Sequence, residues 1–116
     1  MTPPPKPKKH WFEQGEYPAL IAQYQDLSSR SQGRWSYMRD SSGLEGILIA
    51  DGAVWHFGCS GCPEMIRRGP TAPGDFLAAH AAEIAGHTMS SSYPRSWSDV
   101  TAMAYNKLLE LGYTAT

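Results

Sequence analysis

Apolar residues at helical spacing mark the first element of the chain. They fall on one helical face, at Leu20, Ile21, Tyr24 and Leu27. This period is typical of a helix that buries one side. Pro18 suits the first turn of such a helix, because the missing N–H of proline needs no partner there. The polar run over residues 28–33 ends the pattern, so we expect a helix over residues 17–29.

In the next segment, an alternation of aromatic and polar residues replaces the helical spacing. Over residues 34–39 aromatic and polar side chains take turns, which predicts a strand with one buried face. Two apolar runs follow, over residues 46–50 and 53–57, and Asp51 and Gly52 separate them. An Asp-Gly pair in this setting predicts a two-residue hairpin, because a type I′ turn needs positive φ at both positions.

The chain beyond the hairpin begins with an irregular stretch. Gly-Pro and Pro-Gly pairs break any regular pattern over residues 63–75. We expect Asp75 to cap a helix over residues 76–85 and Gly86 to end it. The inner stripe of this helix comprises Phe76, Leu77, His80 and Ile84.

A last helix is predicted to begin at Ser96. Ser96 and Asp99 have the spacing of a capping box, with Asp99 reaching back to the start of the helix. Apolar residues follow at helical spacing, and Gly112 is expected to close the helix. The pattern as a whole predicts an α+β fold, in which a small antiparallel sheet of two to three strands with a zinc-knuckle-like turn accompanies about three helices.

Composition and charge narrow the classes of function. The 116 residues allow one domain, which we place over residues 11–116 after a disordered, Pro- and Lys-rich tail over residues 1–10. Ten basic and eleven acidic residues give a net charge of −1, which argues against a broad electrostatic grip on nucleic acid or lipid. No apolar run is long enough to span a bilayer, and none follows the basic N-terminus, so we expect a cytoplasmic protein without a membrane partner.

Both cysteines of the protein lie together after the hairpin. Cys59 and Cys62 form a Cys-x-x-Cys turn, which places two sulfur atoms close enough to share one Zn²⁺ ion. In a reducing compartment such a pair is more typical of metal ligands than of a permanent disulfide. His80 is the predicted third ligand, because it lies on the apolar face of the helix that packs back toward the hairpin.

Two histidines compete for the fourth zinc position. On an unbroken helix His87 would lie about 10 Å further along the axis than His80, too far for both to bind one ion. If Gly86 ends the helix, the chain can turn back so that His87 approaches the same ion as His80, and we therefore rank His87 first. His56 ranks second, because alternation places it on the strand face opposite Trp55.

The order of these motifs resembles that of a known class. A hairpin, a Cys-x-x-Cys turn and a helix that carries His follow each other as in Cys₂His₂-type zinc fingers. The segments Cys59-Ser60-Gly61-Cys62 and Ala78-Ala79-His80-Ala81-Ala82-Glu83 also resemble small zinc-finger proteins of actinobacteria and their phages. The resemblance covers about residues 46–87 and implies a structural Zn²⁺ ion. In that class the last ligand stands four residues after the first His, where this chain has Ile84.

Other chemistry of the cysteine pair is less well supported. A dithiol redox site would need Cys59 at a helix N-terminus, which Pro63 can open, but the βαβ context of thioredoxin-like proteins is missing. A zinc hydrolase would need an open coordination position and a carboxylate base, for which Glu64 and Glu83 qualify by position only. We therefore expect a binding protein more than an enzyme.

Two kinds of partner remain open. The first is nucleic acid, or a protein of nucleic-acid metabolism. Its expected basic contacts are Lys6, Lys8, Lys9, Arg67 and Arg68. The second is a protein bound through exposed aromatic residues such as Tyr93 and Trp97, as in an accessory or inhibitor protein of a phage or mobile element.

The metal hypothesis predicts a measurable loss of structure on chelation. Purified protein should contain about one equivalent of zinc, and a chelator should unfold its central region because a structural zinc site is coupled to folding. Cys59→Ser and Cys62→Ser should have the same effect. Metal analysis and thermal denaturation with and without chelator provide the measurement. An unchanged melting temperature after chelation would contradict the site.

Overall fold

The computed structural model describes residues 18–40, 43–58, 66–89 and 91–116. It contains three helices and four strands in this part of the chain. In chain order they are α1 (Pro18–Ser29), β1 (Gly33–Asp40), β2 (Gly43–Ala50), β3 (Ala53–Gly58), β4 (Ile66–Thr71), α2 (Pro73–Ala85) and α3 (Trp97–Glu110). The predicted α+β class is confirmed, whereas the expected two to three strands are four. The predicted tail over residues 1–10 and the zinc-knuckle-like turn lie outside the described residues.

The four strands form one antiparallel sheet in the order β1-β2-β3-β4. The predicted hairpin joins β2 to β3, where Ala50 pairs with Ala53. Asp51 and Gly52 have φ values of 56° and 67°, the two positive values that a type I′ turn requires. The Asp-Gly prediction is therefore confirmed, and it fixes the register of the two central strands.

Helices cover both faces of this sheet. Leu48 and Phe57 point to the face on which α1 packs, through Ile21, Tyr24 and Leu27. Ile47, Ile49 and Val54 point to the opposite face, which α2 and α3 cover. The helical residues of that second core are Phe76, Leu77, Val100, Ala104 and Leu108. Two separate cores therefore hold the sheet between them.

Strand β4 was not predicted. Residues 63–75 read as irregular because Gly69 and Pro70 interrupt them, yet Ile66–Thr71 pair with β3. An edge strand tolerates proline, since its outward N–H groups need no partner strand. Gly69 has a φ of 95°, and the register between β3 and β4 shifts at this level. The Gly-Pro pair therefore interrupts the regular register of the strand without ending it.

The start of α2 also differs from the prediction. The helix begins at Pro73, three residues before the expected start, and its N-cap residue Ala72 provides no side-chain cap. Asp75 does not cap the helix; its carboxylate accepts a hydrogen bond of 2.8 Å from the Thr116 hydroxyl. Proline at the first helical position supplies the preset φ that replaces a cap. The end at Ala85, followed by Gly86, is as predicted.

Helix α3 follows the prediction more closely. The Ser96 hydroxyl accepts a hydrogen bond of 3.1 Å from the Asp99 N–H, which confirms Ser96 as the N-cap. Gly112 has a φ of 95°, and the Tyr113 N–H donates to the Leu108 carbonyl, the hydrogen bond of a Schellman motif. In the described part of the chain, no helix combines the length and hydropathy needed to cross a bilayer.

Close packing of β1 against β2 makes Gly46 sensitive to substitution. A Cβ atom at Gly46 would lie 2.7 Å from the Trp35 carbonyl oxygen and 2.9 Å from the Ser36 Cβ. Gly46→Ala should therefore lower the free energy of unfolding by about 1–3 kcal/mol, measured by urea denaturation. Gly86→Ala is the control, because its Cβ would meet no described atom within 4 Å. Its effect should stay within about 0.5 kcal/mol, and equal losses in both variants would contradict this account of Gly46.

Candidate functional site

The predicted zinc ligands fall into two groups. Cys59 and Cys62 lie outside the described residues. His80 packs its ring on Phe76 with centroids 4.4 Å apart, and its Nδ1 contacts the Glu83 carboxylate. Within the described residues, no group of three or more His, Cys, Asp or Glu side chains is placed to hold a metal ion. The zinc site remains a prediction.

The two candidates for the fourth ligand have different partners. His87 lies beyond the end of α2, and its Nε2 is 2.7 Å from the Asp99 carboxylate on α3. His56 lies on β3 and faces α3, on the side of the sheet opposite Trp55, as predicted. Its ring stacks on Trp97 with centroids 4.4 Å apart. Both imidazoles therefore have partners in the fold.

His56 belongs to a polar cluster that crosses three strands. The Tyr37 hydroxyl on β1 donates a hydrogen bond of 2.9 Å to one Glu45 carboxylate oxygen on β2. The other oxygen lies 3.3 Å from His56 Nε2 on β3. Arg68 on β4 pairs with His56 and extends the row to the edge strand. This Tyr37–Glu45–His56 cluster faces the start of α3, where Trp97 covers the imidazole.

Burial sets the protonation of this cluster. Desolvation lowers the pKa of His56 below its usual value, and nearby Arg68 acts in the same direction. The Glu45 carboxylate opposes this shift without reversing it. Burial and the same carboxylate raise the pKa of Tyr37. At neutral pH the cluster therefore combines a neutral phenol with a neutral imidazole, hydrogen-bonded through Glu45.

A second network holds the segment before α3. Asp99 is only 4% exposed, and its carboxylate accepts a hydrogen bond of 2.9 Å from the Arg95 N–H. This bond and the contact with His87 lower the pKa of Asp99. The predicted capping box is therefore incomplete. The Asp99 carboxylate accepts its hydrogen bond from the N–H of Arg95, the residue before the N-cap. Through its contact with His87, Asp99 also links the end of α2 to the start of α3.

The segment before α3 that Asp99 holds in place forms an aromatic and cationic surface. Tyr93 is 56% exposed, and the Arg95 guanidinium carbon lies 4.8 Å from the centroid of its ring. Trp97 is half-buried where it stacks on His56. We define the α3-start surface as Tyr93, Arg95, Trp97, His56 and Arg68. Its components come from the loop before α3 and from two neighbouring strands.

Arg67 and Arg68, the predicted nucleic-acid contacts, do not share a surface. Consecutive residues of a strand point to opposite faces of the sheet. The Arg67 side chain donates a hydrogen bond of 2.6 Å to the Gln23 side chain on α1. Its guanidinium carbon lies 5.8 Å from the centroid of the Trp55 ring. Arg68 pairs with His56 on the α3 side. The other predicted contacts, Lys6, Lys8 and Lys9, lie outside the described residues.

Comparisons with protein-family models, with curated proteins and with solved structures found no match to this chain. The function therefore has to be inferred from the chain's own residues and their contacts.

Sequence reasoning identified Trp97 and Tyr93 but missed the polar cluster. The predicted strand begins at Gly46 and so excludes Glu45, whereas β2 begins at Gly43. The only signal was a glutamate within an otherwise apolar run, flanked by glycine. Alternation from Gly46 back to Glu45 would have placed the carboxylate on the same face as Ile47, and hence beside the aromatic face of β1.

Burial of a neutral His56 predicts a stability effect with a definite sign. Because the folded state holds the pKa of His56 below its ordinary value of 6.5, the unfolded chain binds the proton first as the pH falls. The contribution of His56 to stability should thus be fully present above about pH 6.5 and decline on acidification through the folded-state pKa. Wild type and His56→Gln should be compared by urea denaturation between neutral and mildly acidic pH.

The informative quantity is the difference in free energy of unfolding between these two proteins. It should shrink steadily as the pH is lowered, because glutamine does not titrate. The other titratable groups are common to both proteins, so their contributions cancel in the difference. A difference that stays constant or grows on acidification would show that burial does not disfavour the charged imidazole.

Proposed function

We propose that this chain is a protein-interaction module whose partner binds the α3-start surface. The observation that carries the proposal is the stacked, exposed pair of Tyr93 and Arg95 beside Trp97. Tyr, Trp and Arg are the side chains most enriched among residues that dominate the binding energy of protein interfaces. A near-zero net charge suits a protein partner better than a polyanion.

The rigidity of this surface supports the same proposal. Asp99 anchors the backbone at Arg95, and the Ser91 hydroxyl donates a hydrogen bond of 2.6 Å to the Tyr93 carbonyl. His56 supports the ring of Trp97 from below. Side chains that are ordered before binding lose less conformational entropy when a partner arrives. The α3-start surface can therefore bind a partner without first having to fold.

Nucleic acid is the other partner considered, and it has less support. A protein that follows a phosphate backbone needs several cationic groups along one surface. Arg67 and Arg68 lie on opposite faces of β4, and the Arg67 guanidinium is hydrogen-bonded to the Gln23 side chain. A structural zinc ion at Cys59 and Cys62 is compatible with either partner. It would stabilise the fold and leave the choice of partner to other residues.

Paired substitutions test the proposed surface. Wild type, Tyr93→Ala/Arg95→Ala and Leu109→Ala would serve as baits in a nuclease-treated cell extract, with bound proteins quantified by mass spectrometry. Leu109 is a suitable control because it is 49% exposed but lies near the opposite end of α3. A partner should be retained by wild type and by the control, and weakened roughly tenfold or more by the double substitution.

A second experiment tests whether the partner is nucleic acid. Labelled single- and double-stranded DNA and RNA of random sequence would be titrated at low salt and followed by fluorescence anisotropy. Binding that weakens steeply with salt, and that Arg67→Ala/Arg68→Ala abolishes, would replace the proposed function with nucleic-acid recognition. Equal capture of proteins by all three baits would also contradict a role for the α3-start surface.

A further inference from the structure

Strand β1 is an edge strand of the described sheet. Strand β1 is eight residues long, and on its outer side no strand of the described chain pairs with it. In an antiparallel sheet, alternate residues of an edge strand turn their N–H and C=O groups outward. Such a row of unpaired groups is a template for another strand.

The opposite edge of the sheet is protected by comparison. Strand β4 has six residues and contains Pro70, which has no N–H to donate. Its register against β3 is also irregular, and two consecutive arginines occupy it. These features discourage edge-to-edge pairing. Between Gly33 and Met38, β1 has a regular register and no proline.

Helix α1 leaves most of one face of β1 exposed, and its Ser28 hydroxyl accepts a hydrogen bond from the Arg34 guanidinium. Arg34, Ser36 and Met38 point to the α1 side of the sheet and are exposed, with Met38 at 64%. On the other face Trp35 and Tyr37 are half-buried beside α3. A strand added to β1 would therefore cover an exposed methionine on one face and extend an aromatic row on the other.

We infer that a second copy of this chain binds here, with two β1 strands pairing antiparallel about a two-fold axis at Ser36. The axis stands perpendicular to the sheet, so both copies keep α1 on the same side. Trp35 then lies opposite Tyr37 of the second copy, and Arg34 lies opposite Met38. Residues in each such pair share a face, because they are separated by an even number of positions. The two sheets become one continuous sheet.

The sequence of β1 is self-complementary in this register. Each Trp35 meets a Tyr37 across the new ladder, and cross-strand aromatic pairs stabilise antiparallel strands. The Arg34 guanidinium donates a hydrogen bond to the Ser28 hydroxyl on α1, which leaves the aliphatic stem of Arg34 to cover Met38 of the other copy. No like charges lie opposite each other. A register centred on Tyr37 would run into the irregularity between Met38 and Asp40, whereas one centred on Ser36 places Arg34 opposite Met38 within the regular part of β1.

The interface is small, so the dimer should be reversible and depend on concentration. Sedimentation equilibrium of the full chain from about 1 µM to about 1 mM should show the mass rising from 12.8 kDa toward twice that value. Ser36→Lys and Ser36→Glu each place like charges on the axis and should raise the dissociation constant at least about tenfold. An equimolar mixture of the two variants should dimerise again, because Lys then faces Glu.

Two further variants complete the test. Met38→Lys, at a site 64% exposed, places Lys opposite Arg34 and should also weaken the dimer. Asn106→Lys, on the exposed side of α3, is the control and should leave it unchanged. Circular dichroism establishes that each variant is folded. A wild-type protein that stays monomeric to 1 mM, or a dimer that Ser36→Lys and Met38→Lys leave intact, would overturn the inference.

The dimer uses a different surface from the proposed partner site, so the two proposals fail separately. Ser36→Lys should still capture any protein that depends on Tyr93 and Arg95. Conversely, Tyr93→Ala/Arg95→Ala should dimerise like wild type. Loss of both properties in a single folded variant would show that the surfaces are not independent and would count against the β1 arrangement.

Discussion

The burial of β2 on both faces is the constraint on which the rest of the structure depends. Leu48 and Ile49 are consecutive, point to opposite faces and are 1% and 0% exposed. A strand with this pattern needs an apolar layer on each side, whereas an antiparallel sheet commonly leaves one side to water. Helix α1 covers Leu48, and the α2–α3 pair covers Ile49. The two layers hold β2 and β3 at the centre and leave β1 and β4 as edges.

Local patterns predicted the elements that rest on local chemistry. The Asp51-Gly52 turn was predictable because positive φ at two positions is a property of those residues alone. The cap at Ser96 was predictable for the same reason. Strand β4 was not, because pairing with β3 outweighs the preference of Gly69 and Pro70 for irregular chain. That preference describes an isolated segment and takes no account of a neighbouring strand.

The candidate site shows the same division. Tyr93 and Trp97 stood out as aromatic residues in a polar stretch, but Trp97 packs on His56, which is distant in sequence. Asp99 meets His87, and Glu45 meets His56, only in the folded chain. Single-sequence patterns do not encode such contacts, because each partner is an unremarkable polar residue in its own segment. The predicted zinc ligands His80 and His87 contact Glu83 and Asp99 in the described part of the chain.

The stacking of Trp97 on His56 gives this protein a built-in optical reporter. The excited indole ring transfers an electron readily to a protonated imidazole and poorly to a neutral one, so its emission is quenched when the imidazole gains a proton. Because burial lowers the pKa of His56, this quenching should begin at a more acidic pH than beside an exposed histidine. Among the four tryptophans, the Trp97 component of the emission therefore follows the charge of the half-buried His56 side chain.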